Sequence, residues 1–254
     1  MNSTFELFGY TIPVYGLCWF IGIALAALVA FLVKPKSKDY DREDLVYCSV
    51  FGVVGGLVGS KLLFILVSLK TIIENALPLE SIIKGGFVFY GGLLGGVAGV
   101  FIYAKMFKMK FLPFADIIAA VLPLGHAVGR VGCHFGGCCY GMKYSGIFSV
   151  TYTDVLGTTP VGVELFPVQL LEALLLLILF SVLMIVYKKS KATGIATAVY
   201  LYGYAVIRFC LEFLRGDKER GGLLLLSTSQ IISILIVLAV SIVIFRMNKR
   251  QKNI

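Results

Sequence analysis

The sequence predicts an all-α integral membrane protein with seven transmembrane helices. The N-terminus lies outside, the C-terminus is cytoplasmic, and a small extracytoplasmic segment separates helices four and five. Three observations predict this. Hydrophobic residues make up 59% of the 254 and charged residues only 15%, far from the balance of a soluble domain. The apolar residues come in repeated runs of about 20, the length a helix needs to cross a bilayer; barrel strands would alternate in segments of about 10. Lys and Arg fall in the connections on one side about twice as often as on the other, which sets the orientation.

Taken in order, the first span runs from about Ile12 to Val33 and ends in a charged loop, Lys34 to Asp44. The second runs from about Leu45 to Leu69 and carries Gly52, Gly55, Gly56 and Gly59. Glycines three and four apart let a neighbouring helix approach closely in lipid. Residues 70–84 form a polar connection with the pattern of a short interfacial helix. The third span, about Gly85 to Phe107, repeats the close-packing face with Gly91, Gly92, Gly95, Gly96 and Gly99. The fourth starts after Pro113 and fades near Arg130. Residues 131–165 make the longest connection, and alternation over Phe148 to Tyr152 points to a short strand there. The fifth span is about Phe166 to Tyr187, the sixth about Thr193 to Leu214, and the seventh about Leu223 to Phe245, before a basic tail. The chain 1–254 therefore reads as a single transmembrane domain with residues 131–165 as an extracytoplasmic cap.

A net charge of +9 does not imply a nucleic-acid partner, because the Lys and Arg sit in short loops between apolar runs. Six cysteines without even spacing do not make a disulfide framework. The first 13 residues carry no Lys or Arg and a full span follows them, so no cleavable signal peptide is expected.

Polar residues inside spans are costly and face a cavity or a partner. In the deduced orientation all of them lie toward the outer leaflet. They are Tyr15, Lys61, Tyr90, His126, Arg130, Gln169, Glu172, Tyr204, Arg208, Glu212 and Gln230. Independent structural accidents would scatter across both leaflets. The pattern implies one polar cavity open to the outer leaflet, suited to a lipid headgroup or another extracytoplasmic substrate. Tyr204, Arg208 and Glu212 recur at every fourth position and share a helix face. Arg208 and Glu212 pair along it, either as a structural ion pair or to hold and orient an anionic headgroup. His126 and Arg130 are likewise four apart. The arginine fork suits phosphate, although an arginine at a span end also snorkels toward headgroups. Gly132, Gly136, Gly137 and Gly141 let the backbone approach a ligand, and their N–H groups could cradle an anion.

Cys133, Cys138 and Cys139, beside His134, leave three readings open. They bind zinc, or two of them form a disulfide on the outer face, or they are small packing residues. Their spacing is not the C-x2-C of a dependable zinc site, so no metal and no cofactor is expected. Cys18, Cys48 and Cys210 read as packing residues within lipid.

A set of short motifs runs through the whole chain. It begins with Tyr15-Gly16-Leu17, Asp44-Leu45 and Gly91-Gly92. It continues with Gly129-Arg130-x-Gly132 through Tyr140-Gly141, then Pro167-x-Gln169-x-x-Glu172. It ends with Tyr204-x-x-x-Arg208-Phe209-x-x-Glu212-Phe213-x-Arg215 and Gln230. In order and spacing these resemble the prolipoprotein diacylglyceryl transferase family over nearly the whole length.

The resemblance implies a multi-pass enzyme of the bacterial cytoplasmic (inner) membrane. Such an enzyme moves the diacylglyceryl group of phosphatidylglycerol onto the lipobox cysteine thiol of a preprolipoprotein signal peptide, at the outer leaflet. It further implies that Arg130 binds phosphatidylglycerol and that Arg208 is a second essential arginine. Glu212, Tyr204, Tyr15 and Gly141 fall on functional family positions. Tyr90, Cys133 and Cys138 stand where well-studied members carry His, Asn and Glu. The residue that takes the thiol proton is therefore sought among Tyr90, His126 and His134. The alternatives are a relative that modifies another thiol or lipid, or a non-catalytic lipid- or metal-binding membrane protein.

Overall fold

Helix follows helix along the chain, as the apolar runs require, in a computed structural model that describes residues 3–7, 10–33, 35, 40–75, 78–153, 155, 157–217, 222–223 and 226–252. Lys34, Lys36 and Lys38 of the anticipated charged loop lie outside these residues, and so do the side chains of the basic tail. A hairpin of β1 (Thr4–Leu7) and β2 (Tyr10–Pro13) leads into α1 (Val14–Leu32). Then come α2 (Arg42–Glu74), α3 (Leu79–Lys84), α4 (Phe89–Met106) and α5 (Phe111–Phe135). Strands β3 (Val150–Thr151) and β4 (Glu164–Leu165) pair antiparallel before α6 (Val168–Lys189). Helix α7 (Ile195–Leu211) passes into a 3-10 turn, Glu212–Leu214. A last hairpin, β5 (Gly222–Leu223) with β6 (Leu226–Ser227), precedes α8 (Thr228–Lys252). Among the described residues five helices are long and apolar enough to cross a membrane: α1, α2, α5, α6, and α7 with its 3-10 turn. Helix α8 adds a shorter apolar stretch, Thr228–Ile242. The protein is a predominantly helical membrane protein.

Several boundaries differ from the sequence reading, each for a local reason. Helix α5 begins before Pro113 and continues past Arg130 to Phe135, so Cys133 and His134 are helical rather than in the loop. An apolar run ends at its first polar residues, but here His126 and Arg130 turn toward Glu172 and the helix goes on. Helix α2 begins at Arg42, earlier than the apolar run. Asp41 accepts from the amides of Glu43 and Asp44 while Asp44 accepts from the Asp41 amide, a reciprocal cap on otherwise free N–H groups. The seventh apolar run does not start at Leu223. Ser227 and Gln230 form the same kind of cap for α8, with the Ser227 amide on Gln230 Oε1 at 3.0 Å and the Gln230 amide on Ser227 Oγ at 3.2 Å. Gln230, placed by the sequence among cavity-lining residues, thus has a capping task. The expected strand near Phe148–Tyr152 is β3, and the polar connection 70–84 contains α3, as anticipated; the first and last hairpins were not anticipated.

The chain divides into two compact units. In Phe31–Phe114 the glycine faces of α2 and α4 meet. A methyl on Gly55 or Gly59 would strike the carbonyl oxygens of Gly95 and Gly91, and the reverse substitutions would strike Gly55 and Gly59. Backbones this close gain dispersion contact that any side chain would forfeit. The Tyr103 hydroxyl donates to Asp44 at 2.9 Å. Lys61 donates to the carbonyls of Ile82, Ile83 and Gly85 at 3.1, 3.0 and 2.9 Å, a cation on the carbonyl end of α3.

The other unit comprises Met1–Ala30 and Ala115–Ile254. Here α1 and α5 touch along a second small-residue seam. A Cβ on Gly22 would meet the backbone of Gly125, one on Gly132 would meet Cys18 and the Tyr15 backbone, and one on Gly136 would meet Tyr15. Residue numbers fall along α1 as they rise along α5, so the two helices run antiparallel. The buried Asp116 carboxylate receives the Gly194 amide at 2.6 Å and the Thr197 amide and hydroxyl at 2.8 Å each. A residue of α5 thereby supplies the acceptor that the first turn of α7 needs.

Candidate active site

Helices α5, α6 and α7 supply a small apolar floor, and the polar residues stand on it. Ala127 packs with Ala173 and Leu176, and Val131 and Tyr204 cover them. One turn along α5 from Ala127, Arg130 reaches α6, where its Nη2 lies 3.0 Å from Glu172 Oε1. His126 Nε2 is 3.9 Å from the same oxygen, and its ring centroid is 5.3 Å from that of Tyr204. Glu172 is 1% exposed, so its charge depends on these partners. On α7, Arg208 Nη2 binds Glu212 Oε2 at 2.6 Å and Ser229 Oγ at 3.0 Å. The charges of Arg130 and Arg208 both act on His126 and on Tyr204, so the two ion pairs border one space. Within them Arg130 Nε and Arg208 Nη1 are buried donors without an acceptor. A desolvated guanidinium N–H left unpaired is expensive, and each of these two suits an anion that can accept from it.

The stretch after Arg130 is shaped by how α5 ends. The Cys138 amide donates to the Cys133 carbonyl at 3.1 Å and the Gly137 amide to the His134 carbonyl at 3.4 Å. Gly137 has φ +60°. This is a Schellman cap, with glycine at the left-handed position and the next residue, Cys138, folded back over the last turn. The expectation that the Gly136 and Gly137 N–H groups cradle an anion is corrected: both amides are spent on carbonyls of the helix. The cap also sets Cys138 over Cys133. Cys139 takes a left-handed φ of +57°, and the three Sγ atoms lie within 4.8 Å of one another. All three are free thiols, so the disulfide reading is not realised in this structure. Hydrogen bonds from the Cys133 and Cys138 thiols, aided by the charges of Arg130 and Arg215, hold the Cys139 thiol below the usual range.

His134 faces a different network. Its Nδ1 is 3.0 Å from the Tyr152 hydroxyl, which itself receives Gln169 Nε2 at 3.3 Å. Burial pushes the Tyr152 hydroxyl up to about 12, so it keeps its proton, and the His134 tautomer decides which of the two groups donates. Gln169 also donates to the Cys138 carbonyl at 2.9 Å. Gly141 sits where a methyl would strike the carbonyl oxygen of Phe166 and press on that of Leu214, and it bridges Arg215 in a short antiparallel contact. Arg215 is in turn held by both oxygens of Asp217 at 2.9 and 2.7 Å.

The larger unit therefore holds Tyr15, His126, Arg130, His134, Gly141, Tyr204, Arg208 and Glu212. Tyr90 belongs to the other, on the first turn of α4. Glu212 ends α7 and begins the 3-10 turn, where it still reaches Arg208.

A family model described as prolipoprotein diacylglyceryl transferase matches residues 2–246. The chain belongs to the prolipoprotein diacylglyceryl transferase family. It is 34% identical over 248 residues to the phosphatidylglycerol–prolipoprotein diacylglyceryl transferase of Clostridium tetani, covering 98% of each chain. It is also 34% identical over 245 residues to the enzyme numbered 2 of Clostridium perfringens, covering 96% of this chain and 94% of that one. A relative from Dehalococcoides mccartyi with the same enzyme name is 29% identical over 251 residues, covering 98% and 94%.

Within this member of the transferase family, three partnerships escaped the sequence reading. Glu172 was placed among cavity residues but not as the partner of Arg130. Ser229 and Tyr152 were not singled out at all. The signal for Glu172 was present: a carboxylate with no Lys or Arg nearby on α6 must find its cation on another helix. Nothing in the sequence joins Tyr152 to His134, because that pairing depends on the path of the loop.

Proposed function

We propose that this chain transfers the diacylglyceryl group of phosphatidylglycerol to the lipobox cysteine thiol of a prolipoprotein signal peptide. Family membership supports the activity, and its relatives carry that enzyme name. The observation that carries the substrate reading is the pair of buried, unpartnered donors, Arg130 Nε and Arg208 Nη1. In this reading they donate to the oxygens of the lipid phosphate. Glu172 and Glu212 keep the guanidinium planes in place, and Tyr204 and Tyr15 line the headgroup. Gly141 keeps the following loop against Arg215. As the thiol sulfur bonds to the glyceryl carbon, the carbon–oxygen bond to phosphate breaks and glycerol phosphate leaves with the electron pair. The two arginines stabilise the charge that grows on that leaving group. Tyr90, His126 and His134 are the candidates for handling the thiol proton; His126 Nε2 lies 3.9 Å from Glu172 Oε1, whereas His134 Nδ1 is already hydrogen-bonded to Tyr152.

The same reading keeps seven spans, an outer N-terminus and a single transmembrane domain whose 131–165 segment faces outward at the bacterial cytoplasmic membrane. Purified protein incubated with phosphatidylglycerol and a lipobox peptide should yield the thioether peptide by mass. Arg130→Ala and Arg208→Ala should each lower the rate by about 100-fold or more, the scale for losing one charge-stabilising donor. Absence of product from a folded protein, with an active relative beside it, would refute the assignment.

A further inference from the structure

The thiol cluster of Cys133, Cys138 and Cys139 has more organisation than packing requires. The Schellman cap brings Cys138 over Cys133, and the left-handed Cys139 turns a third sulfur toward them. A non-glycine residue in that conformation is uncommon and carries a steric cost. A disulfide would use two of the sulfurs and leave the third over. Three sulfurs within 4.8 Å of one another come close to another arrangement. Zinc–sulfur bonds of about 2.3 Å in a tetrahedron put sulfurs about 3.8 Å apart, so the cluster need contract by about 1 Å at most.

The surroundings suit the charge of such a centre. Three thiolates around a divalent cation carry one net negative charge. Arg215 lies within hydrogen-bonding reach of Cys139, is 6% exposed and has an unpartnered buried Nη1. Arg130 lies three residues before Cys133, on the same face of α5. Among the described residues no His, Asp or Glu joins the three sulfurs, and His134 Nδ1 is taken by Tyr152. Three protein ligands with the fourth position open is the pattern of reactive rather than structural zinc sites.

We propose that Cys133, Cys138 and Cys139 form a trithiolate site for a zinc-class divalent cation, and that its open position receives the acceptor thiol. The second half rests on the diacylglyceryl transfer proposed above; the first does not. A cation held there would favour the thiolate of the acceptor, whose proton would pass to one of the candidate bases named above. The thiolate lone pair forms the sulfur–carbon bond while the carbon–oxygen bond breaks. The electron pair leaves on glycerol phosphate, and the neutral thioether, a weaker ligand, departs. Three residues of helix are about 4.5 Å of rise, so this thiolate lies about one turn from the Arg130 guanidinium assigned to the phosphate.

The test uses the full-length protein in detergent, reduced, with Co2+ as the probe. One Co2+ per chain should bind with thiolate-to-metal charge-transfer absorption. Cys138→Ser and Cys139→Ala should each weaken binding by more than the 10- to 100-fold that losing an outer-sphere partner costs. Cys18→Ser and Cys210→Ser should leave it unchanged. A lipobox peptide with a free cysteine should shift the cobalt spectrum, and the same peptide with serine should not. Melting curves of each variant report folding, and phosphatidylglycerol binding is measured separately. Cobalt binding no tighter in the reduced wild type than in the two variants overturns the site, as does a native Cys133–Cys138 disulfide in anaerobically purified protein. A spectrum that ignores the peptide overturns the role of the open position. Lost phosphatidylglycerol binding with an intact cobalt site would instead count against the transferase reading alone.

Discussion

At the scale of single residues, the site turns on charges that are buried and only partly paired. Arg130 with Glu172 and Arg208 with Glu212 each hold one arginine in place and leave one N–H free. Removing a carboxylate leaves a guanidinium buried alone, which costs about 3–5 kcal/mol in comparable pairs. Glu172→Ala should therefore lower the detergent melting temperature more than Ser229→Ala does. Glu172→Gln should retain more stability than Glu172→Ala while still losing activity, since the amide fills the space but not the charge. Gly141→Ala tests a different constraint. Its methyl collides with the Phe166 carbonyl and crowds that of Leu214, and overpacking of this kind costs about 1–3 kcal/mol; the check is melting of the variant beside wild type. Tyr152 gives a pH signature. Burial raises its folded value to about 12, above the unfolded value near 10. Its contribution is thus complete below pH 10 and lost as pH rises toward 12. Wild type should lose more stability over that window than Tyr152→Phe, measured by melting in matched buffers.

At the scale of elements, contacts between helices are made by what is missing from side chains. The α2–α4 seam is glycine against glycine, and Gly22 against Gly125 does the same for α1 and α5. Gly95→Leu should separate α2 from α4, because no rotamer avoids the Gly55 carbonyl. The expected result is a large fall in melting temperature, whereas Gly16→Ala, which meets nothing within 4 Å, should melt like wild type. The α1–α5 seam matters for the site as well, since it is what carries Tyr15 to Gly132 and Gly136. The ends of elements matter as much as their packing. The Schellman cap of α5 places the thiols, and the Asp116 carboxylate fixes the start of α7, the helix that carries Tyr204 and Arg208.

At the scale of the whole molecule, the sequence reading assigns every embedded polar group to the outer leaflet. A membrane-impermeant thiol reagent should modify a cysteine placed at Lys143 or Ile147, whose side chain is 96% exposed, in intact spheroplasts. A cysteine placed at Lys191 should react only after the membrane is opened. The reverse result would invert the orientation and with it the outer-leaflet site.

The sequence by itself determined the membrane class, the helix-rich fold, the glycine seams, the pairing of Arg208 with Glu212 and the family. These follow from composition and from spacing along a helix, which are local. Only the tertiary structure decided that Arg130 pairs with Glu172, that His134 is engaged by Tyr152 and that Gln230 caps a helix. It also decided that the glycine amides after Arg130 are consumed in a helix cap. Those outcomes depend on which helices meet and where each ends, and hydrophobic runs carry little information on either. Three cysteines in a row of glycines looked badly spaced for a metal because spacing was counted along the chain. The cap and one left-handed residue fold that spacing back on itself, and distance through space replaces distance in sequence.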